Sequence, residues 1–139
     1  MPKYLKDVQR LRNPENINEA VYASSAYVLR KAFLADPTVQ KLVRAGADAV
    51  EDIKQEFAGG ADKLPDITLA CLAYILTQIA PAEGAALVAP VLRKTLDKGG
   101  PFFKQFAAHL LRQQARLPLR PSNMAYPREE IQEVLSRRR

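Results

Sequence analysis

Between Pro65 and Ala80 the chain carries Ile67, Leu69, Ala70, Cys71, Leu72, Ala73, Tyr74, Ile75, Leu76 and Ile79, so a helix over this stretch has almost no polar side. A helix that is hydrophobic all round must be covered on several faces. The remainder of the chain has to supply that cover, and the segment is expected to lie at the centre of the fold. Its longest apolar run, Leu69 to Leu76, falls well short of the ~20 residues needed to span a bilayer, which excludes a membrane reading for it. With 139 residues, 47% hydrophobic and 26% charged, the chain has the composition of one ordinary globular domain. A domain near this size buries roughly two-thirds of its unfolded surface without metals or disulfides.

The flanking segments have the periodicity to provide the cover. From Ile17, the apolar positions Ile17, Val21, Val28, Leu29, Ala32 and Phe33 predict a helix ending near Asp36-Pro37, because the residue before a proline is pushed out of the helical region. Val39, Leu42, Val43, Gly46, Ala47, Val50, Ile53 and Phe57 form one stripe of a second helix, opposite Lys41, Arg44, Asp48, Glu51, Asp52 and Gln55. Two helices joined so tightly are expected to pack antiparallel. Gly59-Gly60 is read as a left-handed stop. After the central helix, Pro81 opens a fourth helix bearing Leu87, Val88, Val91, Leu92 and Leu96, with a kink expected at Pro90 and an end at Gly99-Gly100. Pro101 opens a fifth, with Phe102, Phe103, Phe106, Leu110 and Leu111 on its apolar side. The fold class is all-α: antiparallel helix pairs in a short solenoid or a compact bundle.

Residues 117–126 place Pro118 and Pro121 where no long helix can run, so the chain is expected to extend over the surface there. A short helix follows Pro127, with Glu129 and Glu130 at its start and Arg137, Arg138 and Arg139 at its end, both favourable to the helix dipole. Its one apolar edge is Ile131, Val134 and Leu135. About three turns are marginal alone in water, so this edge must dock on its own domain, on a second copy of the chain, or on another protein. Ile131, Val134 and Leu135 are the candidate partner-binding residues. The chain thus divides into a basic extension (1–16), a helical domain (17–116), and a linker with a docking helix (117–139).

Ala26-Tyr27-Val28-Leu29 and Ala73-Tyr74-Ile75-Leu76 recur 47 residues apart, each followed by a proline-marked turn, Asp36-Pro37 and Ala80-Pro81, with glycine pairs 40 residues apart between the units. In these features residues 17–116 resemble HEAT-like and armadillo-like helical repeats. The resemblance implies a curved stack of helices used as a protein-binding scaffold, with no catalytic residues to carry over. At about two and a half units, such a stack would need its terminal segments as caps, or a paired chain.

The net charge is +6, and residues 101–121 contain Lys104, Arg112, Arg116 and Arg120 with no acidic residue. Lys104, Arg112 and Arg116 share about a third of the helix circumference, with Gln105, His109 and Gln113 on the same broad side. This stripe with Arg120 is the candidate nucleic-acid-backbone site of an alternative reading. Ingredients for catalysis are sparse. His109 is the only histidine and Cys71 the only cysteine, set in the apolar central segment where burial makes a thiol inert. Asp48, Asp52 and Glu56 share one helix face but are interleaved with lysine and arginine. There is no phosphate-binding glycine loop and no Cys/His ligand set. The expectation is a non-enzymatic scaffold for protein–protein interaction, self-association into a homodimer included, with no cofactor or metal and a cytoplasmic location.

Overall fold

The computed structural model describes residues 3–13, 17, 26–59, 63–97, 100–120 and 124–137. Among them lie eight helices and no strand: α1 (Leu5–Arg10), α2 (Ala26–Ala35), α3 (Pro37–Ala45), α4 (Ala47–Ala58), α5 (Asp66–Ile79), α6 (Pro81–Thr95), α7 (Pro101–Gln114) and α8 (Arg128–Ser136). α5 is the enclosed element. Every residue from Ile67 to Thr77 is buried, and the helix packs against α2, α3, α4, α6 and α7. Its neighbours close over it with aromatic side chains. Phe33 of α2 meets Phe106 of α7 edge-on at 5.3 Å and Tyr74 of α5 at 5.8 Å, while Phe57 of α4 meets Phe103 of α7 at 6.1 Å.

Two close approaches fix the helices around α5. A Cβ added to Gly84 of α6 would stand 2.7 Å from the Leu76 carbonyl and 2.9 Å from the Thr77 nitrogen, so only glycine lets α6 lie backbone-to-backbone on the last turn of α5. At the other end the Asp66 carboxylate accepts from the Phe102 and Phe103 N–H groups, both at 2.8 Å. It satisfies donors that the first turn of a helix cannot satisfy internally. Gly100 precedes this cap, and a side chain there would collide with the Asp66 carboxylate.

The structure redraws several sequence expectations. The apolar stripe from Val39 to Phe57 reads as one helix, but the chain breaks at Gly46, whose φ of +60° and ψ of −130° no helix contains. Glycine takes this conformation without steric penalty. α3 begins as expected after Asp36, whose side chain accepts from Val39 N–H at 3.0 Å. Gly59 ends α4 at φ −89°, so the stop there is not left-handed. The basic extension contains a helix of its own: Val8 and Leu11 are fully buried, Tyr4 N–H donates to Asp52 at 3.1 Å, and Thr68 of α5 donates to the Leu11 carbonyl at 2.6 Å. α6 continues through Pro90, which is exposed. The expected first-helix residues 18–25, and Gly60, Gly99, Arg138 and Arg139, lie outside the described residues.

Candidate functional site

α7 presents two faces. Phe103, Phe106, Ala107, Leu110 and Leu111 are buried with the core. Gln105, His109 and Arg112 recur at the i, i+4, i+7 spacing of a single helical stripe, and on this stripe the chain beyond α7 lies down.

Arg112 is the principal anchor. It is only 2% exposed. Its Nε donates to the Pro118 carbonyl at 3.0 Å, and Nη1 donates to the Glu130 carbonyl at 3.1 Å and to the Glu133 carboxylate at 2.6 Å. Its guanidinium carbon stands 5.7 Å from the centroid of the Tyr126 ring, a cation–π contact. One buried side chain therefore ties the start of the arm to two turns of α8. Arginine suits this task because its planar fork supplies five donors in fixed directions.

Tyr126 is the second anchor. The Gln105 amide grips its backbone on both sides: Tyr126 N–H donates to Gln105 Oε1 at 2.6 Å, and Gln105 Nε2 donates to the Tyr126 carbonyl at 3.0 Å. The phenol oxygen lies 2.8 Å from His109 Nδ1 and accepts from Arg120 N–H at 3.1 Å. The phenol hydroxyl can donate to His109 Nδ1 or accept from an N–H there, so the direction of this bond follows the imidazole tautomer. Burial, and then the charge of Arg30, hold the His109 pKa below its ordinary value. Burial likewise raises the Tyr126 phenol. Both shifts favour the neutral forms near pH 7.

Ile131, Val134 and Leu135, the predicted docking edge, are all buried within the chain itself, α8 packing on α7. Arg93 of α6 donates to the Leu135 carbonyl at 2.9 Å, and Arg128 pairs with Asp97 at 2.5 Å. The three basic residues predicted as a stripe, and Arg120 beyond them, are not displayed together. Arg112 is buried, Arg120 is paired with the Glu130 carboxylate, Lys104 is half-buried with its ammonium 3.3 Å from the Leu96 carbonyl, and Arg116 is exposed. Sequence reasoning placed Gln105 and His109 beside them but missed Tyr126. The one signal for it was an aromatic residue set among prolines and small polar residues.

The large apolar side chains left exposed include Leu34 of α2 and, on the arm, Leu119 at 44% and Met124 at 49%. Leu119 sits between Pro118, whose carbonyl accepts from Arg112, and Arg120, whose N–H donates to Tyr126. Cys71 is buried, and its thiol is pushed well up by burial and by the nearby Asp36 carboxylate. Among the described residues no three His, Cys, Asp or Glu side chains stand together in a metal-holding group, and no helix is long and apolar enough to cross a membrane.

No protein-family model, no curated protein and no solved structure matches this chain.

Proposed function

We propose that this chain is a non-enzymatic helical module that binds another protein through the face bearing its C-terminal arm. The observation that carries this reading is the display of Leu119 and Met124: both large apolar side chains are exposed, Leu119 on backbone held on either side and Met124 two residues before the gripped Tyr126. Scattered exposed leucines are ordinary. Here the supporting backbone is held by a buried arginine and a buried tyrosine, so a docking protein would not bear the cost of ordering it. The proposal carries with it a kinship to HEAT-like repeats and a cytoplasmic setting.

The alternative, binding of a nucleic-acid backbone, has less to draw on. Of its four basic residues, Arg112, Arg120 and Lys104 are engaged within the chain, which leaves the exposed Arg116. A phosphate-tracking surface needs several free cations and shows a steep loss of affinity with salt.

The test is Leu119→Asp with Met124→Asp, made in the full chain and compared with the parent for capture of co-purifying proteins and for binding to random-sequence duplex DNA. Loss of specific capture with unchanged far-ultraviolet circular dichroism is the expected result. Unchanged capture, or salt-sensitive DNA binding abolished by Lys104→Ala with Arg116→Ala, would remove the reading.

A further inference from the structure

The arm is joined to α7 by a single hinge, and that hinge is strained. Ala115 N–H donates to the Leu111 carbonyl at 3.0 Å, Arg116 N–H to Gln113 at 3.2 Å, and Leu117 N–H to Arg112 at 2.9 Å. The last two bonds form a Schellman ending, which requires the residue at position 116 to be left-handed, and ordinarily that residue is glycine. Here it is arginine, at φ +59°, the one described non-glycine residue with positive φ. Its Cβ crowds the following carbonyl in this conformation.

Everything that receives the arm lies on one face. The arm's recorded partners there are Gln105, His109 and Arg112 of α7, with Arg93 at the end of α6 and Asp97 just beyond it. None of these contacts requires the arm and the face to belong to the same chain. Leu117 precedes Pro118 and is biased toward extended backbone, so a straightened hinge would carry the arm away from its own α7.

We propose that the arm is exchanged between two copies of this chain. In the exchanged dimer α7 continues through Arg116, and α8 of each copy docks on Gln105, His109 and Arg112 of the other, remaking the same bonds. The left-handed strain is relieved at two hinges, and this relief favours the dimer against the loss of freedom on association. Exchange of an identical element is a low-cost route to dimers, and short strained hinges invite it. The inference goes beyond the proposed function: exchange is made through the arm's contacts with Gln105, His109 and Arg112, and Leu119 and Met124 remain the surface offered to a further protein.

The experiment is sedimentation of the full-length chain, Arg116→Ala and Arg116→Gly over a range of concentrations, after incubation long enough for exchange. Both variants delete the guanidinium, so they differ only in backbone preference. Arg116→Ala is expected to dimerise at a concentration roughly thirtyfold or more below that needed by Arg116→Gly, since alanine disfavours the left-handed turn at each of two hinges and glycine does not. In a second measurement, Gln105→Ala is mixed with Ile131→Asp/Leu135→Asp. The mixture is expected to dimerise where neither parent does, because the mixed dimer contains one intact face with one intact arm. Equal midpoints for the Ala and Gly variants, or a mixture no more dimeric than its parents, would overturn the proposal. If exchange fails while Leu119→Asp/Met124→Asp still abolishes capture, the interaction reading stands without it.

Discussion

α5 and the C-terminal arm are both held to the rest of the chain, but by different physics. α5 is held by apolar area: from Ile67 to Thr77 it is enclosed by five helices, and its threonines bond only within reach of their own or neighbouring backbone. The arm is held by a short apolar edge and by polar groups of exact partner requirement, Arg112, Gln105, His109 and Tyr126. Apolar burial is non-directional and tolerates imprecision, whereas a buried polar group is favourable only while every bond is made. This contrast predicts that the core opens only with global unfolding, while the arm, whose apolar edge joins the same cluster, opens first and as a unit, as a latch.

The largest expected effect falls on the core. Leu76→Ala, at a site 1% exposed, should cost ~2–5 kcal/mol through lost transfer energy and the cavity left behind. Chemical denaturation measures it, and the loss should appear in the whole transition. A cost under half a kcal/mol would mean that α5 is not the centre.

A smaller and more local effect is expected at the latch. Arg112→Met leaves the Pro118 and Glu130 carbonyls without their donor, while the half-exposed Glu133 carboxylate can return to water. Loss of charge-assisted bonds of this kind should weaken arm closure by ~2–3 kcal/mol. Limited proteolysis should then cut within residues 117–127 while the helical core persists. Equal loss of core and arm would erase the distinction between the two regions.

How much of this was legible in the sequence differs in the same way. α5 could be read directly, because all-round hydrophobicity has one physical outcome. The break between α3 and α4 could not, because the apolar stripe runs unbroken across Gly46 and only the backbone there departs from helix. α1 was missed because its buried anchors, Val8 and Leu11, are too few to register as a period. At the site, Gln105, His109 and Arg112 were legible only as part of a broad polar side shared with Lys104, Gln113 and Arg116, and the target of that side was not. Arginine is seldom fully buried, so Arg112 reads as solvent-facing until the contacts 6 to 21 residues further on are known. The apolar edge of α8 was legible as something that had to dock. Which surface receives it is a tertiary fact.

The smallest expected effect is a dependence on pH. A fully solvated imidazole titrates near 6.5; in the closed arm burial holds His109 lower, while the charge of Arg30 on α2 acts whether the arm is open or closed. The open state therefore takes up the proton first as pH falls. Arm closure is complete above about pH 6.5 and weakens below it, levelling off once the lowered value is passed. Proteolytic sensitivity of the arm should rise between pH 7.5 and 5.5, and His109→Gln should remove that step.

Native-state hydrogen exchange, followed amide by amide, tests the two-region account most directly, because it reads local opening free energies in one undivided chain. The account expects the amides of α5 to exchange only with global unfolding, and those of α8 to exchange together through a smaller opening. Arg112→Met should lower the protection of α8 and leave that of α5 unchanged. If α5 and α8 instead show the same opening free energy, and Arg112→Met lowers both alike, the arm is an integral part of the core and not a latch.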